Sequence, residues 1–136
     1  MHKYIREVQY YETDSMKIVH HSNYIRWFEE ARTDFLKSVS MPYDEIEKMG
    51  LMIPVLSVEC TYKYPLKFGQ RFRIELNMTE FNGVKFNFEY NVFNDETNQL
   101  CVSGKTSHCF VNDSFRPVRI MKSYPELYST LKNQLQ

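Results

Sequence analysis

The stretch Y-Y-E-T-D-S-M-K-I-V-H-H-S-N-Y-I-R-W-F-E-E-A-R-T-D-F-L, residues 10–36, joins the end of a strand, a polar loop and a helix. From residue 24 onward its apolar residues recur at helical spacing and form one stripe: Tyr24, Trp27, Phe28, Ala31 and Phe35. Charged residues fill the other face. The pattern predicts a long amphipathic helix that begins at about Asn23, capped by Ser22 or Asn23.

The loop before this helix carries Glu12, Thr13 and Asp14. A helix N-terminus offers unpaired N–H groups and partial positive charge, which favour an anion or a carbonyl oxygen that is becoming one. Asp14 precedes Asn23 by nine residues, so the loop can return it to the helix start. A carboxylate beside backbone donors suits acyl transfer, because the carboxylate can attack or deprotonate water while the donors hold the oxyanion.

Length and charge limit the classes of protein that fit. The 136 residues predict one domain, residues 1–136. Seventeen basic and seventeen acidic residues balance to zero, so no global field recruits nucleic acid or an anionic membrane. Aromatic residues make up 15% of the chain, which together with near-zero charge favours an oligomer.

The cysteines and the N-terminus predict a cytoplasmic protein. Cys60, Cys101 and Cys109 are odd in number and lack C-x-x-C spacing, so neither a disulfide framework nor a zinc site is indicated. The first residues contain no apolar run of the kind found in signal peptides, and no stretch is long enough to span a bilayer.

The rest of the chain alternates mainly with the period of strands. Strands are predicted at residues 3–11, 53–64, 71–79, 84–93 and 100–111. Asn82-Gly83 predicts a two-residue hairpin turn with positive φ. A short helix is expected between Pro42 and Gly50, and another, capped by Ser123, near the C-terminus. This order of elements predicts an α+β domain with antiparallel strands.

The run T-D-S-M-K-I-V-H-H-S-N-Y-I-R-W-F-E-E-A-R resembles the signature of the 4-hydroxybenzoyl-CoA thioesterase family of hotdog-fold acyl-CoA thioesterases. The matching positions are Asp14, Ile18, Val19, His21, Asn23 and Tyr24. A looser resemblance covers nearly the whole chain. Lys17 stands where the family usually has glycine, and because lysine tolerates positive φ poorly, a shifted turn is expected.

The resemblance implies a hotdog fold, in which a curled antiparallel sheet wraps around the central helix. It implies that Asp14 is the catalytic carboxylate, as nucleophile or general base, and that the backbone N–H at His21 polarises the thioester carbonyl; in some members a histidine here assists the chemistry directly. Taken alone, Asp14 would be read as a turn cap and His21 as an exposed loop residue.

The implied substrate is an acyl-CoA, bound between subunits without a metal or cofactor. Candidate substrate-binding residues are Tyr11, Met16, Val19, Asn23 and Tyr24, with Ile53 and Pro54 contributed by a partner subunit. Candidates for the phosphates of coenzyme A are Lys85, Lys63 and Lys67. A homodimer formed by sheet extension is expected, with further assembly to a tetramer.

Two other functions remain open at this point. A basic docking patch would favour an acyl-carrier-protein thioesterase, and the sequence shows no such patch. A non-catalytic acyl-CoA sensor would not need Asp14. Glu29 and Glu30 are expected to pair with Arg26 and Arg32 on the helix surface, and His108 is expected to be a packed or interface residue.

Overall fold

The computed structural model describes residues 1–135 of the chain. Its strands are β1 His2–Glu7, β2 Val55–Tyr62, β3 Arg71–Phe81, β4 Lys85–Asn94 and β5 Leu100–Cys109. Its helices are α1 Ser22–Ser38, α2 Tyr43–Lys48, α3 Ile120–Ser123 and α4 Pro125–Lys132. The strands form one antiparallel sheet in the order β1-β3-β4-β5-β2. The predicted α+β hotdog fold is confirmed.

The apolar stripe of α1 packs against the sheet, as its period predicts. Trp27 stacks on Phe72 of β3 with ring centroids 3.9 Å apart, and Phe28 stacks on Tyr90 of β4 at 4.2 Å. Stacked aromatic pairs contribute about 0.5–1.5 kcal/mol each beyond their buried area. The long helix is therefore fixed across the middle of the sheet, and its N-terminus is held at one end of it.

The clear alternation of β3 is confirmed, since its inward residues Phe72, Ile74, Leu76 and Met78 are all buried. β2 is different, because it forms one edge of the sheet and has no neighbour beyond β5. Nearly all of its residues are exposed, and Val55, Leu56, Val58 and Tyr62 expose between 38% and 50% of their surface. This apolar edge is the main feature of the fold that one chain leaves uncovered.

Several predicted boundaries are wrong. β1 ends at Glu7, and the following residues Tyr10–Glu12 form a 3-10 turn. The hairpin turn centres on Gly83 and Val84 instead of Asn82 and Gly83. Asn82 precedes the turn, and its Oδ1 accepts the N–H groups of the two residues after Gly83 at 2.9 and 2.7 Å. Of the two central residues of this turn, Gly83 alone has a positive φ, at 91°.

The C-terminal helix also begins later than predicted. Ser123 ends the short helix α3, and α4 starts at Pro125. A proline has no N–H to leave unpaired at the first helical position, and its fixed φ suits a helix start. The chain therefore breaks between two helices where one capped helix was expected.

Gly104 tests how closely α1 approaches the sheet. A Cβ atom at Gly104 would collide with the Phe28 ring and lie 3.0 Å from the Glu59 carbonyl oxygen. We expect Gly104→Ala to lower the free energy of unfolding by about 1–3 kcal/mol, because the core cannot absorb the methyl group without strain. Urea titration measures the loss. Lys105→Ala, on the exposed face, is the control; equal stability of the two variants would contradict the close packing.

Candidate active site

The turn that carries Asp14 is a tight hairpin connection. The Asp14 N–H donates to the Ile18 carbonyl at 2.9 Å, and the Lys17 N–H donates to the Asp14 carbonyl at 2.9 Å. Asp14 Oδ1 accepts the Met16 N–H at 2.8 Å, so its side chain does cap the turn. This contact occupies one carboxylate oxygen and leaves Oδ2 available.

The expectation of a shifted turn at Lys17 is wrong. Lys17 adopts the left-handed conformation with φ 64°, the region in which glycine carries no Cβ penalty. The strain of such a non-glycine residue is on the order of 1–3 kcal/mol, and it persists because the surrounding hydrogen bonds fix the turn. The backbone at this position is therefore the one that a glycine would provide.

A buried carboxylate at Glu12 holds this turn in place. Glu12 is only 4% exposed. Its two oxygens accept hydrogen bonds from Arg6 at 2.9 and 2.7 Å, from Trp27 Nε1 at 2.6 Å and from the Gln9 N–H at 2.8 Å. Burial would raise the pKa of Glu12, but these donors, Arg6 first among them, stabilise the charged form and hold the pKa below its ordinary value.

The main chain of Glu12 connects the turn to the helix start. Its carbonyl oxygen accepts the His20 N–H at 2.8 Å and the Asn23 Nδ2 hydrogen at 2.8 Å. The alternative prediction that Asn23 caps α1 is therefore wrong. Its side chain instead ties the start of the helix to the loop that leads to Asp14. Sequence reasoning missed Glu12, because an acidic residue beside threonine and aspartate looks like ordinary loop chemistry.

The His20 imidazole contacts the first residue of α1, while the N-cap residue His21 makes no side-chain capping hydrogen bond. His20 Nδ1 accepts the Ser22 N–H at 3.2 Å, and the His20 carbonyl accepts the Asn23 N–H at 2.9 Å. The rings of His20 and His21 stack with centroids 4.2 Å apart. Within residues 1–135, the His21 N–H has no hydrogen-bond acceptor. Within that range the start of α1 thus keeps a free N–H at His21, the position to which the family resemblance assigns the oxyanion donor.

Asp14 and the helix start border the same apolar cavity, of about 300 Å³. Its lining residues are Asp14, Met16, Ile18, Val19, His21, Tyr24, Tyr62, Lys63, Tyr64, Pro65 and Val102. The cavity brings together both predicted catalytic residues and three of the predicted substrate-binding residues. In the segment at the end of β2, residues 62–65, Lys63 was a predicted coenzyme A contact, but Tyr62, Tyr64 and Pro65 were not predicted, because only the register of β2 against β5 shows that they reach this place.

The other predicted site residues lie elsewhere in the single chain. Tyr11 is 82% exposed on the 3-10 turn, and Asn23 is held by Glu12. Ile53 borders a second cavity near the other end of β2. Pro54 lines neither cavity. Among the three lysines, Lys63 alone lines the Asp14 cavity; Lys67 follows β2 in a loop, and Lys85 begins β4.

The helix carboxylates do not pair as expected. Glu30 accepts hydrogen bonds from Tyr4 at 2.8 Å and from Arg6 Nε at 2.7 Å, which ties α1 to β1. Arg26 donates to Ser22 and Asn23, and Arg32 donates to Tyr90. His108 is packed, as expected, at 1% exposure, and burial together with the Arg32 charge lowers its pKa to about 3.

Within residues 1–135, no group of three or more His, Cys, Asp or Glu side chains is placed to hold a metal ion. No helix in that part of the chain is both long and apolar enough to cross a bilayer.

Comparison with known families decides the identity of the fold. The model of the thioesterase-like superfamily matches residues 8–128. The chain belongs to the thioesterase-like superfamily. This membership makes the protein a thioester hydrolase; it does not establish the 4-hydroxybenzoyl-CoA specificity that the resemblance carries.

Relatives of this thioesterase agree over nearly its whole length. A solved protein of unassigned function from Aquifex aeolicus is 40% identical, with a TM-score of 0.88, over 96% of this chain and 99% of the other. A Bacillus subtilis protein, YneP, provisionally named an acyl-CoA thioesterase, is 34% identical over 90% of this chain and 89% of its own. A DHNA-CoA thioesterase from Staphylococcus aureus is 26% identical, with a TM-score of 0.91, over 96% of this chain and 88% of the other.

The buried carboxylate predicts an acid-sensitive stability. We expect Glu12→Gln to lower the free energy of unfolding at pH 7 by about 1.5–3 kcal/mol, because it removes a charged hydrogen-bond acceptor from Arg6. Since folding lowers the pKa of Glu12, its contribution is present above the unfolded pKa of about 4.3 and is lost as pH falls through the lower folded value. The stability gap between the parent and Glu12→Gln, which is the difference in their free energies of unfolding, should therefore become smaller in acid.

Urea titrations at a series of pH values measure this gap. Glu96→Gln, in the exposed turn after β4, is the matched control and should follow the parent throughout. A gap for Glu12→Gln that stays constant down to strongly acid pH would show that the carboxylate charge contributes nothing.

Proposed function

We propose that this thioesterase hydrolyses an acyl-CoA to a free carboxylic acid and coenzyme A. One observation carries the proposal: the Asp14 carboxylate and the start of α1 border the same apolar cavity. The names of the B. subtilis and S. aureus relatives, an acyl-CoA thioesterase and a DHNA-CoA thioesterase, support an acyl-CoA substrate.

Asp14 acts as general base or as nucleophile. As a base, its Oδ2 takes a proton from water, the water oxygen bonds to the thioester carbon, and the C–S bond breaks as the thiolate leaves. As a nucleophile, Oδ2 bonds to that carbon first, and the C–S bond breaks as the thiolate leaves. Water then hydrolyses the resulting anhydride, which releases the acid and restores the Asp14 carboxylate. The hydrogen bond from the Met16 N–H to Oδ1 orients the carboxylate for either route, so capping the turn and catalysis are compatible.

The start of α1 stabilises the oxyanion. The His21 N–H is free of protein acceptors within residues 1–135 and lies at the positive end of a 17-residue helix. A donor of this kind contributes about a hundredfold or more to the rate. His21 also lines the cavity, so its imidazole is a second candidate to assist the chemistry.

The acyl group occupies the apolar part of the cavity. Met16, Val19 and Tyr24 line it, and burial raises the pKa of Tyr24 above its ordinary value, so its phenol stays neutral. Lys63 is the best placed of the candidate lysines for a coenzyme A phosphate, because it also borders the cavity.

A second copy of the chain completes the site. Antiparallel pairing of two β2 edges about a two-fold axis would cover the exposed apolar edge and place the Val55 end of one strand beside the Tyr62 end of the other. Ile53 and Pro54, which immediately precede β2, would then reach the partner's Asp14 cavity. A dimer is the minimal active unit, with tetramer assembly beyond it.

The compartment and the rival functions are part of the proposal. Cys60, Cys101 and Cys109 are free thiols, as suits the reducing cytoplasm. An acyl-carrier-protein thioesterase would differ only in what carries the acyl group. A non-catalytic sensor would bind acyl-CoA without releasing thiol.

Asp14→Asn tests the chemistry without removing the turn, because asparagine Oδ1 can accept the same Met16 N–H. We expect thiol release from a panel of short, long and aromatic acyl-CoAs to fall about a hundredfold or more, with the melting temperature nearly unchanged. Asp113→Asn, in another exposed turn, is the control. A fully active Asp14→Asn would leave Asp14 as a turn cap, and an inert parent that binds acyl-CoA would favour the sensor.

Val58→Lys tests the subunit contact. Val58 lies mid-strand in β2 and is 38% exposed; a lysine there places a charge in the proposed interface. We expect the parent to sediment as a dimer or tetramer and the variant as a monomer with greatly reduced activity. Met121→Lys, at an equally apolar exposed position on α3, should keep the parental assembly. A Val58→Lys variant that sediments and turns over like the parent would contradict pairing through β2.

A further inference from the structure

The second cavity borders the middle of α1 and the start of β2. Its volume is about 250 Å³. Its lining residues are Glu29, Arg32, Thr33, Leu36, Tyr43, Ile53, Val55 and Phe86. Most of this surface is apolar or aromatic, so a charged guanidinium in it is an exception that needs a partner.

Arg32, which borders this cavity, has unused hydrogen-bonding capacity. Within residues 1–135 its guanidinium makes one side-chain hydrogen bond, to the Tyr90 hydroxyl at 3.1 Å, and no ion pair. By contrast, Arg6 is held by Glu12 and Glu30, and Arg73 by Glu75 and Asp95. Most of the N–H groups of Arg32 therefore remain available to an oxygen acceptor in the cavity.

A chain of buried side chains fixes the orientation of Arg32. The guanidinium can only donate, so the Tyr90 oxygen accepts. The Tyr90 hydroxyl also hydrogen-bonds to the Thr106 hydroxyl, which in turn lies 2.7 Å from His108 Nε2. Burial and the Arg32 charge lower the pKa of His108, so its ring is neutral and adds no second cation to this chain of contacts. Arg32 is thus a preoriented donor rather than a loose surface arginine.

The two cavities lie at opposite ends of β2. The Asp14 cavity includes Tyr62, and the Arg32 cavity includes Val55. The seven steps from Val55 to Tyr62 span roughly 23 Å at about 3.3 Å per residue, too far for a compact acyl group within one chain. Antiparallel pairing of two β2 strands brings the Arg32 cavity of one subunit next to the Asp14 cavity of the other.

We propose that Arg32 determines acyl specificity from the partner subunit, by donating hydrogen bonds to an oxygen at the far end of the acyl group. Glu29 borders the same cavity, and its negative charge would repel a carboxylate at the end of the acyl group. The group that Arg32 binds is therefore a neutral hydroxyl or carbonyl. The inference rests on the proposed thioesterase function and its β2 dimer, and adds the chemical class of the acyl group and the residue that selects it.

Matched substrates test the selection. Thiol release is measured for hexanoyl-CoA, 6-hydroxyhexanoyl-CoA and adipoyl-CoA with the parent, Arg32→Gln, Arg32→Lys and, as control, Lys37→Gln on the exposed face of α1. We expect the parent to prefer the hydroxylated chain, and Arg32→Gln to lower kcat/KM for it by about 10–100-fold more than for hexanoyl-CoA. Arg32→Lys should recover part of the preference, and Lys37→Gln should retain it.

The outcomes separate the two proposals. If the parent hydrolyses none of the thioesters, the thioesterase proposal fails. If the parent is active and Arg32→Gln lowers kcat/KM equally for all three, Arg32 only supports the fold and the specificity inference fails alone. A preference for adipoyl-CoA over the hydroxylated chain would overturn the assignment of a neutral acceptor.

Mixed dimers test whether Arg32 acts across the subunit boundary. Chains carrying Asp14→Asn and chains carrying Arg32→Gln are co-expressed with different tags, and the hetero-oligomer is purified through both. If the site is shared, one site per dimer combines an intact Asp14 with the partner's intact Arg32, so the parental substrate preference returns at about half the parental rate. If both residues act within one chain, the preference stays that of Arg32→Gln; failure to form a hetero-oligomer would also overturn the inference.

Discussion

The buried carboxylate of Glu12 is the constraint on which the rest of the site depends. A carboxylate removed from water costs several kcal/mol unless it is paired and fully hydrogen-bonded, so Arg6 of β1, Trp27 of α1 and the Gln9 N–H must all reach it. Arg6 in turn needs Glu30. These requirements fix the first strand, the loop and the helix relative to one another before Asp14 is considered.

Different carboxylates hold the loop in place and face the cavity. The charges that hold the loop are buried and satisfied, whereas Asp14 lies two residues beyond Glu12 with one oxygen held by the turn and one available. Asn23, which also contacts Glu12, ties the helix start to the same loop. Asp14 and the N–H of His21, to which we assign the catalytic roles, can therefore keep a fixed separation although they belong to different elements.

Periodicity predicted the elements whose environment is uniform along their length. The stripe of α1 and the alternation of β3 could be read because each faces one core throughout. The contacts of Glu12 could not, since its partners lie 6 and 15 residues away in the chain and no local pattern marks them. The same holds for His20, whose imidazole accepts the N–H of the first residue of α1. Tyr62, Tyr64 and Pro65 could not be assigned to the cavity either, because only the register of β2 against β5 shows that this end of the strand reaches it.

The exposed edge of β2 links stability to specificity. A strand whose apolar residues are half exposed on an open edge invites pairing with another chain, and here both cavities open near its two ends. Because a two-fold axis exchanges those ends, the proposed interface would cover the edge and join the Asp14 cavity of each subunit to the Arg32 cavity of the other. Changes at Ile53 or Val55 would then alter substrate choice and assembly together, whereas changes at Arg32, which lies on α1 behind the edge, would alter substrate choice alone.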